Sequence, residues 1–365
     1  MSDSEKDNQL SSISEAIRAK RERKGSMLRD DIAELEAALI ADIENFDLDA
    51  AERRARREYL ANSGAGMVDA ELVFPEIVPQ RQPASPQPDA RWLLAHALRV
   101  DVGRLILVDE VDETALRRFR DDVARRAARE PLQHILGRVG FGADTAAIDL
   151  RVGPGVFVPR PETELLLQWA VATAPRGALV ADLCSGSGAL ALGLATARPD
   201  VRVLAVELFD DARTWLRRNA AAQPVPVATR VAVVAADVTD PGGLAAAIAA
   251  QAGPTGWPVD AALDLVVANP PYVPELTDGT PTPISPEVAA DPHRAVFAGA
   301  DGMAVITPML QSVRALGRPG TALGVEHDDA TGPAVAAAMD AAGFAAIEPH
   351  DDLAGAQRFT TAVQG

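Results

Sequence analysis

Asn269-Pro270-Pro271-Tyr272 is the stretch of this 365-residue chain whose residue types and order most directly suggest a reaction. Two consecutive prolines stiffen a loop and remove two backbone N–H donors. The carbonyls and the Asn269 side chain then remain as acceptors, a set that suits a planar NH2 group conjugated to a carbonyl or a ring. Such a nitrogen is a poor nucleophile because its lone pair is delocalised. Accepting its two hydrogens, at Asn269 Oδ1 and at the Pro270 carbonyl, would aim it at an incoming methyl group and favour pyramidalisation. Pro271 keeps the loop rigid, and Tyr272 would pack its ring against the planar group and exclude water. Rate would come from orientation and from acceptors aimed at developing positive charge, without a strong general base.

A second chemical signal lies upstream. Asp182-Leu183-Cys184-Ser185-Gly186-Ser187-Gly188 runs from an apolar segment directly into a helical pattern. Glycine lets the backbone approach a ligand without a Cβ in the way. The helix beyond it presents free N–H groups and a partial positive charge to an anionic ligand group. Glu207, at the end of the next apolar segment, is placed to accept hydrogen bonds from a ribose diol, and Asp237 comes after a third such segment at the same edge. This pattern also fits a relaxed dinucleotide-binding fingerprint, so a nicotinamide oxidoreductase competes at this point. Asp182 would oppose a pyrophosphate, however, and would suit a cationic ligand such as S-adenosylmethionine. Cys184 has no evident base partner and reads as a small residue of the turn rather than as a nucleophile.

Positioning these groups requires a regular scaffold, and the sequence supplies one. Expected strands at 178–183, 201–207, 231–235, 263–268 and 321–326 alternate with expected helices through Leu190, Leu194 and Ala197 and at 212–221, 303–316 and 333–342, and an Ala-rich helix between the third and fourth strands. Alternation at this spacing predicts an α/β fold with an open, mostly parallel sheet covered on both faces. Two further strands near 344–348 and 358–363, with no helix between them, predict an antiparallel closing hairpin. In such sheets ligands bind beyond the carboxyl ends of the strands, where both motifs fall.

The remainder of the chain divides by composition. Residues 1–62 hold 11 Lys/Arg and 15 Asp/Glu. Ile32, Leu35, Leu39 and Ile43 there recur at helical spacing, while Pro75, Pro79, Pro83, Pro86 and Pro88 stiffen the stretch 75–88. The expected organisation is a charged helical or disordered extension with a Pro-rich linker at 1–88, a helical domain at 89–134, a linking β-hairpin at 135–160 and an α/β domain at 161–365. Asp112 is placed to cap a helix carrying Leu116, Phe119 and Val123, and His96 and His134 read as structural.

One cysteine excludes an internal disulfide framework and a multi-cysteine zinc site, and no metal-ligand spacing links the five histidines. A formal net charge of −17 argues against broad attraction to nucleic-acid phosphates. No apolar run approaches the ~20 residues of a membrane span, and the polar N-terminus lacks a signal-peptide centre. The expectation is a soluble cytoplasmic protein that contacts neither membrane nor nucleic acid directly.

Three blocks then carry a family resemblance: GPGVFVPRPETELLL at 153–167, ADLCSGSGALALGLA at 181–195 and VVANPPYVPE at 266–275, with PEVAADPHRAVFAGADGM at 286–303 as a fourth. From about Asp89 onward the chain resembles the HemK/PrmC release-factor glutamine methyltransferases, which are class I S-adenosylmethionine-dependent enzymes. The resemblance implies a small N-terminal helical bundle for substrate docking, a linking hairpin and a seven-stranded methyltransferase sheet. It implies methyl transfer to the glutamine side-chain nitrogen in the Gly-Gly-Gln motif of peptide-chain release factors. It also places Asp182, Cys184, Ser185, Gly186, Ser187 and Gly188 at the donor's amino-acid end, Glu207 at its ribose, and Asp237 and Val238 near its adenine. Asn269, Pro270, Pro271 and Tyr272 would hold the glutamine amide, and Asn269 would also face the donor. Arg160 and Glu162 would either close the site or form a structural ion pair. The competing reading is an adenine-N6 DNA methyltransferase, since adenine's exocyclic amine suits the same acceptors. A noncatalytic adaptor using the charged extension is a third.

Overall fold

Apolar runs of five or six residues, bounded by turn-forming and acidic residues, become the strands that carry the site. The structure is a computed structural model; it describes residues 86–108, 111–142, 147–251, 255–257, 262–275, 284–352 and 354–365. The expected helix around Ile32–Ile43 and the linker up to residue 85 lie outside the described residues. Two units are distinguished, one ending at Leu136 and the other spanning Gly137–Gly365.

In the first unit, α1 (Pro86–Leu98), a 3-10 turn (Val102–Leu107), α2 (Glu113–Ala127) and α3 (Leu132–Leu136) enclose a small core of Leu93, Leu94, Ala97, Phe119 and Ile135. α1 begins at Pro86, three residues before the expected domain start, because proline's fixed φ suits a first helical turn. Asp112 caps α2 as its position suggests, accepting from the Ala115 N–H at 2.7 Å. Asp89 pairs with Arg126 at 2.8 Å inside the unit, and His96 bonds Asp122 at 2.9 Å.

The second unit opens with an antiparallel hairpin, β1 (Arg138–Phe141) and β2 (Ile148–Arg151). A seven-stranded sheet comes next, in the order β5-β4-β3-β6-β7-β9-β8. Its strands are β3 (Leu179–Leu183), β4 (Arg202–Glu207), β5 (Val231–Ala235), β6 (Leu263–Ala268), β7 (Gly317–Glu326), β8 (Phe344–Asp351) and β9 (Gln357–Gln364). β3 to β7 pair in parallel, and β9 runs antiparallel to both β7 and β8. β3 is buried at every residue, as expected of a strand covered on both faces. The longer helices are α4 (Thr163–Thr173), α5 (Ala189–Ala197), α6 (Asp210–Ala222), α7 (Pro241–Ala249), α8 (Ile306–Leu316) and α9 (Gly332–Ala341). Their apolar faces join the strands in two core clusters.

The chain leaves β3 toward β4 and β5 on one side and returns to β6 and β7 on the other. Strand order therefore reverses between β3 and β6, opening a crevice at their carboxyl ends. α4 has no counterpart among the helices expected from sequence. Its segment TELLLQWAVAT is apolar nearly all round, so the helical period is hard to see.

Candidate active site

The glycine turn and the NPPY loop leave adjacent parallel strands, β3 and β6, at the same end. Together they line one cleft, a concave site of the kind small-molecule ligands occupy. Asp182, Cys184, Ser185, Gly186, Ser187, Glu207, Asp237, Val238, Asn269 and Pro271 all lie on its wall. Gly188, Pro270 and Tyr272 do not.

The turn is held by its own side chains. Gly186 has φ +54°, and a Cβ there would meet nothing within 4 Å, so the backbone faces open space. Gly188 has φ +91°, but a Cβ there would sit 2.5 Å from Leu216 Cδ1. Glycine at 188 therefore lets the start of α5 approach Leu216 on α6. Glu207 is 6% exposed, accepting from the Gly186 N–H through Oε2 and from the Phe209 N–H through Oε1, each at 2.9 Å. Burial raises its pKa against these bonds. Both oxygens retain lone-pair capacity, so an acceptor role toward a diol survives.

Asp182 is 1% exposed. Its Oδ2 accepts from the Ala191 N–H at 3.0 Å, while Oδ1 is buried with no partner among the described residues. Burial, with the nearby Glu207 charge, lifts this carboxyl to about 7. A lone buried acceptor on a cleft wall fits a cationic ligand group, which would restore the lost solvation. Cys184 occupies a positive φ of 63°, and burial and the Glu207, Asp182 and Asp237 carboxylates raise its thiol pKa. It is a poor nucleophile. Asp237 Oδ1 accepts from the Thr239 N–H at 2.8 Å and hydroxyl at 2.7 Å, fixing the loop after β5.

At the facing wall, Asn269 Nδ2 donates to Thr163 Oγ1 at 3.1 Å. Thr163 opens α4 and is 2% exposed. The Asn269 amide is thereby engaged through its nitrogen, leaving Oδ1 as its acceptor. Behind them Glu326, at the end of β7, is 3% exposed, and burial drives its carboxyl to about 8. Tyr272 packs against the core beneath the loop, and burial and the Glu326 and Asp328 charges raise its phenol pKa. Its chain is secured by Val273 N–H to the Val296 carbonyl at 2.9 Å, Ala298 N–H to Val273 at 3.0 Å and Glu275 N–H to Gly299 at 2.7 Å.

Two segments form the rim. Arg160 pairs with Asp291, whose carboxylate also accepts from the Val158 N–H at 3.1 Å. The ion pair seen for Arg160 is with Asp291 rather than with Glu162. Arg294 pairs with Asp211 and lies 4.2 Å over the Phe209 ring. Thr163, Asp291 and Glu326 were not singled out from sequence. Thr163 and Asp291 fall inside the resemblance blocks. Glu326 ends an apolar strand (ALGVE) just as Glu207 does (VLAVE), so the signal used for one was present for the other.

Comparison with known proteins agrees with this geometry. The family model described as PrmC N-terminal domain matches residues 79–137. A release factor glutamine methyltransferase of Mycolicibacterium smegmatis is 47% identical over 284 residues, covering 77% of this chain and 92% of that protein. Its counterpart in Corynebacterium glutamicum is 44% identical over 283 residues, covering 76% and 92%. One from Mycobacterium tuberculosis is 41% identical over 283 residues, covering 76% and 84%. With identity at this level across most of both partners, the chain belongs to the release factor glutamine methyltransferase family.

Proposed function

We propose that this enzyme methylates the side-chain amide nitrogen of the glutamine in the Gly-Gly-Gln motif of peptide-chain release factors, in the cytoplasm where translation terminates. The observation that carries the reading is one cleft lined by both the unpartnered Asp182 Oδ1 and an Asn269 engaged through Nδ2. S-adenosylmethionine is the methyl donor, and when bound it supplies a methyl group activated by a sulfonium. Asp182 would accept from the donor's ammonium, Gly186 and its small neighbours Cys184, Ser185 and Ser187 would admit its amino-acid end, and Glu207 would hold the ribose hydroxyls. Val238, 5% exposed, and Asp237 would flank the adenine.

On the acceptor side, Asn269 Oδ1 and the Pro270 carbonyl would take the two amide hydrogens of the substrate glutamine. Pro270 and Pro271 keep these oxygens rigid, so little reorganisation is needed as positive charge develops on nitrogen. Tyr272 supports the loop from the core side and closes it to water. No side chain needs to abstract a proton beforehand, because the nitrogen becomes acidic as it is alkylated. The first unit, matched by the family's N-terminal model, would dock the protein substrate. An adenine substrate would satisfy the same acceptors, but the acidic balance of the chain opposes a duplex-binding surface.

The test uses labelled S-adenosylmethionine and release factor, either wild type or with the motif Gln replaced by Ala. Label is expected on the wild-type factor alone; equal labelling of both would refute the assigned site.

A further inference from the structure

Asn219 lies on α6, 1% exposed and off the cleft wall, and no step of the proposed methyl transfer uses it. Its carboxamide bonds to the backbone of two other segments. Oδ1 accepts from the Arg151 N–H at 2.8 Å, while Nδ2 donates to the Arg151 carbonyl at 3.0 Å and to the Ser187 carbonyl at 2.9 Å. With one N–H and two carbonyls as partners, only this orientation of the amide satisfies all three. Both amide protons are thereby engaged, one on the last residue of β2 and one on the glycine turn.

Asp211, Trp215 and Asn219 recur every four residues on α6, a spacing that puts them on one helix face. The chain leaving β2 runs along that face in the opposite direction. Arg151 meets Asn219, the Pro154 carbonyl accepts from Trp215 Nε1 at 3.2 Å, and Gly155 lies against Asp211, where a Cβ would stand 3.2 Å from Oδ2. Gly153 passes so close to the Trp215 ring that a Cβ would stand 2.8 Å from Cζ2. Beyond this seat, Gly155, Val156 and Phe157 line the cleft, as Ser187 does from the glycine turn. At the turn, the peptide between Ser187 and Gly188 is held at both ends. Its carbonyl bonds Asn219, and its N–H donates to the Ser185 carbonyl at 2.7 Å.

We propose that Asn219 is a positioning residue that ties the glycine turn to the segment 151–157, so that these two stretches of cleft wall hold the methyl donor as one unit. The proposal rests on the reading of the turn as the seat of the donor's amino-acid end. A wall set in advance does not have to be ordered when the ligand arrives, and affinity gains accordingly. Without the amide, the Ser187 carbonyl and both Arg151 backbone groups lose their partner, and the two segments relax independently. Asn269 and Pro270 follow β6 and make none of these bonds, so the effect falls on donor affinity rather than on the transfer step.

Asn219→Ala is expected to raise the Kd for S-adenosylmethionine about tenfold or more, the scale of one or two lost buried hydrogen bonds. At saturating donor, kcat should stay within about threefold of wild type. A residue that only supported the fold would lower the thermal midpoint and leave the Kd of the folded variant unchanged.

Hydrogen exchange supplies a readout independent of turnover. In the wild type, saturating S-adenosylmethionine should slow the Arg151 amide about fivefold or more beyond any change in the amides of β8, the far edge strand of the sheet. Arg151 is not on the cleft wall, so this response reports the link through Asn219. In Asn219→Ala, donor should slow the Arg151 amide no more than those of β8. A wild-type Kd in Asn219→Ala, or a wild-type Arg151 amide that responds no more than β8, would overturn the proposal and leave the donor site standing. If the wild type bound no S-adenosylmethionine, the donor reading would fall and the proposal with it. If Asn219→Ala failed to fold, exchange in the wild type would decide.

Discussion

Asp291 joins Arg160 across 131 residues of sequence, and its carboxylate also takes the Val158 N–H. Its side chain is fully buried while that of Arg160 is 23% exposed, so the pair ties two rim segments together from inside. Burial leaves the Asp291 carboxyl at about 6 even beside the guanidinium. Asp291→Ala would strand the buried Val158 N–H, whereas Arg160 could rehydrate. The expected loss is about 2–3 kcal/mol of unfolding free energy, below that of a fully buried pair. Urea unfolding measures it, and the S-adenosylmethionine Kd should rise severalfold as Pro159 and Pro292 on the rim lose their tether. Unchanged stability and affinity would mean the pair holds nothing in place.

Donor binding should depend on pH through Asp182. Its carboxyl is raised to about 7 in the unliganded cleft, chiefly by burial, and a bound cation would favour its ionised form. Binding below about pH 7 must therefore expel a proton, and affinity should improve with rising pH until it levels off above that value. The slope approaches about tenfold in Kd per pH unit on the acid side. Titration calorimetry in two buffers of different ionisation enthalpy would count the released proton. Asp182→Asn should weaken binding and flatten the profile; a wild-type profile already flat from pH 5 to 8 would contradict a cation-accepting Asp182.

Much of the scaffold was readable because β3, β4, β5 and β6 are short apolar runs with abrupt polar ends, a pattern that buried parallel strands impose. The glycine turn and NPPY were readable because their backbone needs are local. What escaped depends on contacts distant in sequence. Thr163 meets Asn269 across 106 residues, and only the placement of α4 beside β6 makes them neighbours. At Gly188 the need for glycine has a second source that spacing does not reveal, since a Cβ there would meet Leu216 on a different helix.

Gly302 should matter to the NPPY loop although it carries no side chain. It has φ +76°, and a Cβ there would lie 2.2 Å from the Tyr272 carbonyl oxygen and 3.1 Å from its carbon. These are backbone atoms held by the Val273 and Ala298 bonds, so they cannot yield cheaply. Gly302→Ala is expected to cost about 2–4 kcal/mol, combining left-handed strain with overpacking. Turnover should fall more than donor affinity. Gly186→Ala gives the contrast, since its Cβ meets only open space. It should cost stability only through its φ while weakening donor binding. If both variants lost the same property, the division between the packed and the open glycine would be wrong.

Asn269→Ala removes the proposed acceptor while leaving the glycine turn on β3 untouched. Thr163 Oγ1 then loses the donor it accepts from. The fold should survive with a loss of about 1 kcal/mol, the net worth of one hydrogen bond. Loss of an acceptor aimed at charge that develops only during transfer should appear in kcat, by about 100- to 1000-fold, the range seen when one preorganised polar group is deleted. The Kd for S-adenosylmethionine should change less than about threefold, well under 1 kcal/mol. Rapid-quench single-turnover measurements with release factor would separate the methyl-transfer step from binding. A normal single-turnover rate would show that the acceptor lies elsewhere on the loop, with the Pro270 carbonyl sufficient by itself.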